Sequence, residues 1–172
     1  DPLMKMWNIR KVIVTLFLAG LLGFGPTVPR LVAADALQYT LQDLEEAAQS
    51  LNQYRNQWVI VNFWATWCGP CIREIPELMA FADRHSEQVQ VLGIAFEKTP
   101  IDEIRAFVAE FGVSYPVLII GEQPLVPMEP LKGLPSTFLI SPKGQVVDSY
   151  VGPVTADQLA DWLNQHAKGE SN

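Results

Sequence analysis

The sequence predicts an α/β domain: a mixed central β-sheet flanked by helices on both faces. Three observations carry this. Short β-branched and aromatic runs alternate with amphipathic segments from residue 40 onward, the pattern of parallel βαβ units. Two apolar runs flank Pro-Lys-Gly near the end and read as an antiparallel hairpin. No repeat, low-complexity tract or linker follows Ala36, so a single domain accounts for the rest of the chain.

Each element has its own warrant. Thr40-x-x-Asp43 resembles a capping pattern, and Leu44, Ala47, Ala48 and Leu51 recur at helical spacing, so a first helix is expected from Thr40. Residues 58–65, WVIVNFWA, are almost continuously apolar and read as a buried central strand. A helix should follow over 68–84, with Ile72, Ile75, Leu78, Met79 and Ala82 at helical spacing and a kink at Pro76. Residues 89–96 read as a second buried strand. Residues 101–111 read as an amphipathic helix stopped by Gly112. A short strand over 117–120 leads into a Pro-rich loop, 121–133. The hairpin occupies 136–151, and a last helix over 155–168 opens with Thr155 and Gln158 as a capping box.

Composition narrows the function. Of 172 residues, 49% are apolar, which excludes a disordered chain. The formal charge of −7 argues against nucleic acid, because phosphate binding needs a basic face. The exception to the acidic character is the beginning. Lys5, Arg10 and Lys11 precede the 13-residue apolar run 12–24, and the small residues 32–36 come later. This order matches a secretory signal. The run is shorter than the ~20 residues that span a bilayer as a helix. Residues 1–36 are therefore expected to be a cleaved signal peptide or a retained N-terminal membrane anchor, with the domain proper over 37–172. Either way the protein is exported, to the periplasm or the outer face of the cytoplasmic membrane.

The only two cysteines, Cys68 and Cys71, stand in FWATWCGPC, where a buried strand ends and a helix begins. Three readings compete. A structural zinc site wants four ligands, but there is no third cysteine, and His85 and His166 lie far apart near the ends of predicted helices. A purely structural disulfide across so short a loop stabilises little. A redox pair explains more. Cys68 at a helix N-terminus meets orphan N–H groups and the positive end of the macrodipole, which favour a thiolate. Cys71, one turn on, is placed to resolve a mixed disulfide. Gly69 leaves the approach to Cys68 open, and Pro70 fits the first helical turn, where no N–H is needed.

FWATWCGPC resembles the active site of the thioredoxin superfamily, and GLPSTFLI at 133–140 resembles that family's cis-proline loop and the strand after it. The resemblance implies a thioredoxin fold over roughly 37–168. It implies that Pro135 is a cis-proline packed against the disulfide, crowding metals away from the thiols. It also implies that the Leu134 backbone pairs with an extended substrate, and that Trp67 contacts substrate while Trp64 packs beneath the site. Where cytosolic thioredoxins resemble VDFWA, this chain has Asn62, which cannot titrate. Glu74, three residues after Cys71, makes the string similar to exported TlpA/ResA-like thiol–disulfide reductases, in which a glutamate here is thought to serve the active site. Burial would raise its pKa and suit it to accept a proton. The alternative for Glu74 is a first-turn carboxylate on the helix dipole.

These readings converge on a thiol–disulfide oxidoreductase that needs no cofactor or metal. Cys68 is the nucleophile and Cys71 the resolving thiol. The expected partners are disulfide-bearing exported proteins and, by the resemblance, a membrane electron donor of the DsbD/CcdA kind; a monomer is expected. Cytochrome c maturation is one setting, although Ser136 stands where many relatives serving that role resemble Gly-x-Pro-Glu-Thr. The rivals are a disulfide oxidase or isomerase on the same fold, a peroxidase using Cys68 alone, and a binding module such as a metallochaperone or holdase.

Overall fold

The computed structural model describes residues 34–169. The expected leader lies outside the described residues as far as residue 33. Among the described residues, seven strands form one mixed sheet: β1 (Thr40–Asp43), β2 (Ala48–Ser50), β3 (Trp58–Trp64), β4 (Val89–Ala95), β5 (Val117–Ile119), β6 (Ser136–Ile140) and β7 (Val146–Val151). Three helices accompany them: α1 (Gly69–Arg84), α2 (Ile101–Phe111) and α3 (Ala156–Gly169). None is long and apolar enough to cross a membrane.

The strand order is β2-β1-β5-β4-β3-β6-β7. The centre is parallel, with β3 beside β4 and β4 beside β5. β6 runs antiparallel to β3 on the other side and pairs with β7 through the expected hairpin. Every residue of β3 is buried, the polar Asn62 included, as its almost continuous apolar run predicts.

The steps from β3 to β4 and from β4 to β5 move in the same direction across the sheet. Right-handed crossovers then put α1 and α2 on one face. The core agrees: Leu78 and Phe81 of α1, Ile104 of α2, and Leu159 and Leu163 of α3 all join Ile60, Val91 and Leu139 in one buried cluster. The second cluster, with Val59, Val61, Phe63, Leu92 and Ile94, is closed by Leu37, Leu41, Leu51, Leu125 and Met128. Among the described residues that face carries a strand-and-loop cover where a helix was expected.

The helix expected from Thr40 does not form; that stretch makes β1 and β2 instead. Asp43 is no capping-box residue. Its Oδ1 accepts the N–H groups of Glu45 and Ala47, and its Oδ2 accepts Gln49 Nε2, so the side chain closes a tight β1–β2 turn. Ala47 and Ala48, counted as an apolar face, are exposed. The four-residue 3-10 turn Leu51–Tyr54 is the only helical turn among the described residues of that stretch.

The other helix signals hold. Gly112 ends α2 in the left-handed region, with φ 63°. Thr155 and Gln158 exchange reciprocal hydrogen bonds at the start of α3, 2.9 and 3.2 Å long. α1 runs on through Pro76 to Arg84.

Candidate active site

The site lies where β3 hands over to α1. Cys68 is the N-cap of α1, with extended backbone, and its Sγ accepts the Cys71 N–H at 3.3 Å. Pro70 falls in the first turn, where its missing N–H leaves no bond unmade. Cys68 and Cys71 form a disulfide, and both are buried; Cys68 keeps 6% exposure. Trp67 beside them is 69% exposed.

Leu134 and Pro135 come from the turn before β6, and the Leu134–Pro135 peptide is cis. The β6 registers begin at Ser136, so Leu134 takes no part in pairing with β3 or β7. Pro135 O accepts the Gly152 N–H at 2.9 Å, and the Ser136 hydroxyl donates to Gly133 O at 2.7 Å. Trp67, Cys68, Gly69 and Pro70 line one groove of about 590 Å³ together with Phe96 and residues 131–134. The fold thus gathers the residues read from FWATWCGPC and those read from GLPSTFLI, which are far apart in sequence.

Glu74 lies on the inner face of α1, 2% exposed. Its Oε1 accepts Asn62 Nδ2 at 2.8 Å, and its Oε2 accepts the Val154 N–H at 2.9 Å. Burial pushes its pKa up to about 7, against the opposing pull of those two hydrogen bonds. Asn62 Nδ2 also donates to Thr137 Oγ1 at 3.1 Å, across a β3–β6 pair in register. The dipole reading of Glu74 needs a first-turn carboxylate, whereas Glu74 lies beyond the first turn of α1 and faces the core.

Trp64 packs beneath the site, stacked on Phe107 with ring centroids 5.3 Å apart. The histidines lie elsewhere: His85 tilts over Phe81, and His166 Nε2 is 3.1 Å from Asp148 Oδ2. Among the described residues, no group of three or more His, Cys, Asp or Glu is placed to hold a metal ion.

Three residues of the site escaped the sequence reading. Thr137 and Phe96 are ordinary strand-end residues by pattern. Glu97 accepts the Thr66 N–H at 2.7 Å and the Thr66 hydroxyl at 2.9 Å, 31 positions from its partner. No local spacing marks such a pair.

Residues 32–149 match the AhpC/TSA family. The chain belongs to this family. The thiol-disulfide oxidoreductase ResA of Bacillus subtilis (strain 168) is 30% identical over 141 residues, covering 81% of this chain and 78% of that protein. Among solved structures, StoA from Bacillus subtilis is 26% identical with a TM-score of 0.63, covering 76% of this chain and 97% of that one. A putative thioredoxin from Neisseria meningitidis is 22% identical with a TM-score of 0.69, covering 80% and 93%, and so shares the fold. The thioredoxin fold and the kinship with TlpA/ResA-like thiol–disulfide oxidoreductases therefore stand.

Proposed function

We propose that this thiol–disulfide oxidoreductase runs as a reductase on exported proteins. The observation that carries the proposal is Glu74, a buried carboxyl raised to about 7, three residues after Cys71 on α1. A proton acceptor tuned near neutral pH suits the activation of a resolving thiol.

In the reduced form, the Cys68 thiolate is favoured by the N-terminus of α1. It attacks one sulfur of a partner's disulfide. The bond from Cys68 to the partner forms, the partner's own S–S bond breaks, and the second partner sulfur leaves as a thiolate. Cys71 then gives its proton to Glu74 and attacks Cys68 Sγ. The Cys68–Cys71 bond forms, and the first partner sulfur leaves as a thiolate. Two electrons have passed to the partner, and the chain is left with its internal disulfide. Trp67, Gly69, Pro70 and Leu134 receive the partner in the groove, and the Leu134 backbone pairs with it as an added strand. Pro135 keeps that backbone segment open beside the disulfide.

The basic and apolar leader supports export. An exported compartment is oxidising, so a membrane dithiol carrier of the DsbD/CcdA kind recharges the pair. The test is the equilibrium reduction potential of Cys68–Cys71, followed by tryptophan fluorescence in dithiol buffers. A value at or below about −220 mV fits a reductant, whereas about −120 mV would make the protein a donor of disulfides.

A further inference from the structure

The turn that carries Trp67 and Cys68 is gripped from the side by a carboxylate. Glu97 stands two residues past the end of β4. Its Oε1 accepts the Thr66 N–H at 2.7 Å, and its Oε2 accepts the Thr66 hydroxyl at 2.9 Å. The Thr99 hydroxyl donates to the same Oε2. These partners are an amide and two hydroxyls, so the contact is a directional clamp on backbone and side chain together.

The clamp has an object. Thr66 immediately precedes Trp67, whose 69% exposure leaves the ring with little packing to fix its direction. Its direction is therefore set by the backbone, and Thr66 is where the backbone is held. Phe96, next to Glu97, lines the same groove as Trp67, and its N–H donates to Trp64 O at 2.8 Å. One short segment thus supplies part of the groove wall and also anchors the turn that supplies another part.

We propose that Glu97 is a positioning residue for protein substrates: by clamping Thr66 it holds Trp67 in place, so that an extended, cysteine-bearing segment meets a preformed groove. The inference rests on the reading of that groove as the place of disulfide exchange. A large polypeptide needs the wall, and a small disulfide that only has to reach Cys68 does not. Preorganisation of this kind acts on recognition, so its loss falls on KM.

The clamp distinguishes two substitutions. Glu97→Ala removes both acceptor oxygens and all three hydrogen bonds. Glu97→Gln can keep them satisfied: its amide oxygen accepts the Thr66 N–H, while its NH₂ donates to the two hydroxyls, which become acceptors. The full chain, reduced beforehand, is assayed with insulin as the protein disulfide and bis(2-hydroxyethyl) disulfide as the small one. Amide hydrogen exchange is read at Thr66. In Glu97→Ala, KM for insulin is expected to rise about tenfold and Thr66 exchange to quicken by a similar factor. The kcat and the small-disulfide rate should stay within about twofold. Glu97→Gln should stay near the parent in every readout.

An insulin KM unchanged in Glu97→Ala overturns the proposal. So does an equal loss on both disulfides with Gln failing like Ala, since that would put the charge itself in the chemistry. If Glu97→Ala does not fold, Thr66→Val replaces it. That variant should show the same split at about threefold, and parental values there overturn the proposal as well. A parent chain that turns over the small disulfide but never insulin overturns the reading of the groove instead.

Discussion

Glu74 Oε2 accepts the backbone N–H of Val154 at 2.9 Å, tying α1 to the segment that leads into α3, 80 residues further along the chain. Glu77, one turn on, accepts the Ala156 N–H at 2.9 Å. The Gly152 N–H, at the other end of the same short segment, donates to Pro135 O. The carboxyl proposed to take the Cys71 proton is therefore also a structural acceptor, joined through one strap of backbone to the proline loop on the far side of the site. Its protonation bears on stability as well as on chemistry.

The stability consequence has a definite sign. The folded pKa of Glu74 is raised from the ordinary 4.5 to about 7. Between those values the folded chain holds a proton that the unfolded chain has released, so stability falls as pH rises through that window. The full difference corresponds to about 3 kcal/mol. Urea unfolding of the oxidised protein should show this decline from pH 4.5 to 8. In Glu74→Gln the decline should vanish, and a variant that keeps the parental pH dependence would show that another group is responsible.

The chemical consequence separates the two thiols. Cys71→Ser should trap the mixed disulfide between Cys68 and a partner, because nothing remains to resolve it. Cys68→Ser should form no adduct. With both cysteines present, Glu74→Gln should slow the decay of the same adduct about a hundredfold at pH 7. The gap should narrow toward the ordinary thiol pKa near 8.5, where Cys71 ionises without help. Non-reducing gels of timed, acid-quenched samples read all three. Parental decay in Glu74→Gln would remove it from the proposed mechanism, and consumption of peroxide by Cys71→Ser at the parental rate would favour the peroxidase rival.

Trp67 offers a test of the groove that leaves the fold alone. It is 69% exposed, so Trp67→Ala should change the unfolding free energy, read by urea, by no more than about 0.5 kcal/mol. An aromatic anchor lost from a contact surface weakens binding by about tenfold. The expected result is a raised KM for insulin with little change in kcat. A variant with unchanged KM would mean that partners approach Cys68 from another side.

The parts that could be read from sequence are those whose determinants are local. The almost continuous apolar run of β3, the cysteine spacing at the start of α1 and the capping box of α3 each declare themselves within a few residues. The first helix was misread because alanine counts as apolar in a periodic pattern, whereas Ala47 and Ala48 are exposed and Asp43 spends its oxygens on a turn. The loop over 121–133 held no readable periodicity, yet it buries Leu125 and Met128 as the cover of the second face. The site followed the same rule. Cys68, Cys71 and Glu74 share one helix and one spacing, whereas the grip of Glu97 on Thr66 and of Glu74 on Val154 exists only once the sheet has been assembled.

The start of the domain is a last case where packing and pattern part. The small residues 32–36 suggest a boundary after Ala36. Ala36 is fully buried, and its N–H donates to Gly144 O at 2.8 Å. Asp35 Oδ1 accepts the Leu37 N–H at 2.9 Å, and Asp35 Oδ2 is paired with Arg55. The β6–β7 turn is fitted to this arrangement, since a Cβ at Gly144 would collide with Asp35 Oδ1. A chain beginning at Leu37 loses these contacts and leaves a charged amine at a buried residue. It should be less stable than a chain beginning at Ala34 by about 1–3 kcal/mol, read as a shift of the urea midpoint at pH 7. If export does remove a leader, N-terminal sequencing of the mature protein should then find Asp35 retained. Equal midpoints for the two chains would mean that the contacts of Asp35 and Ala36 are dispensable and would return the boundary to Ala36.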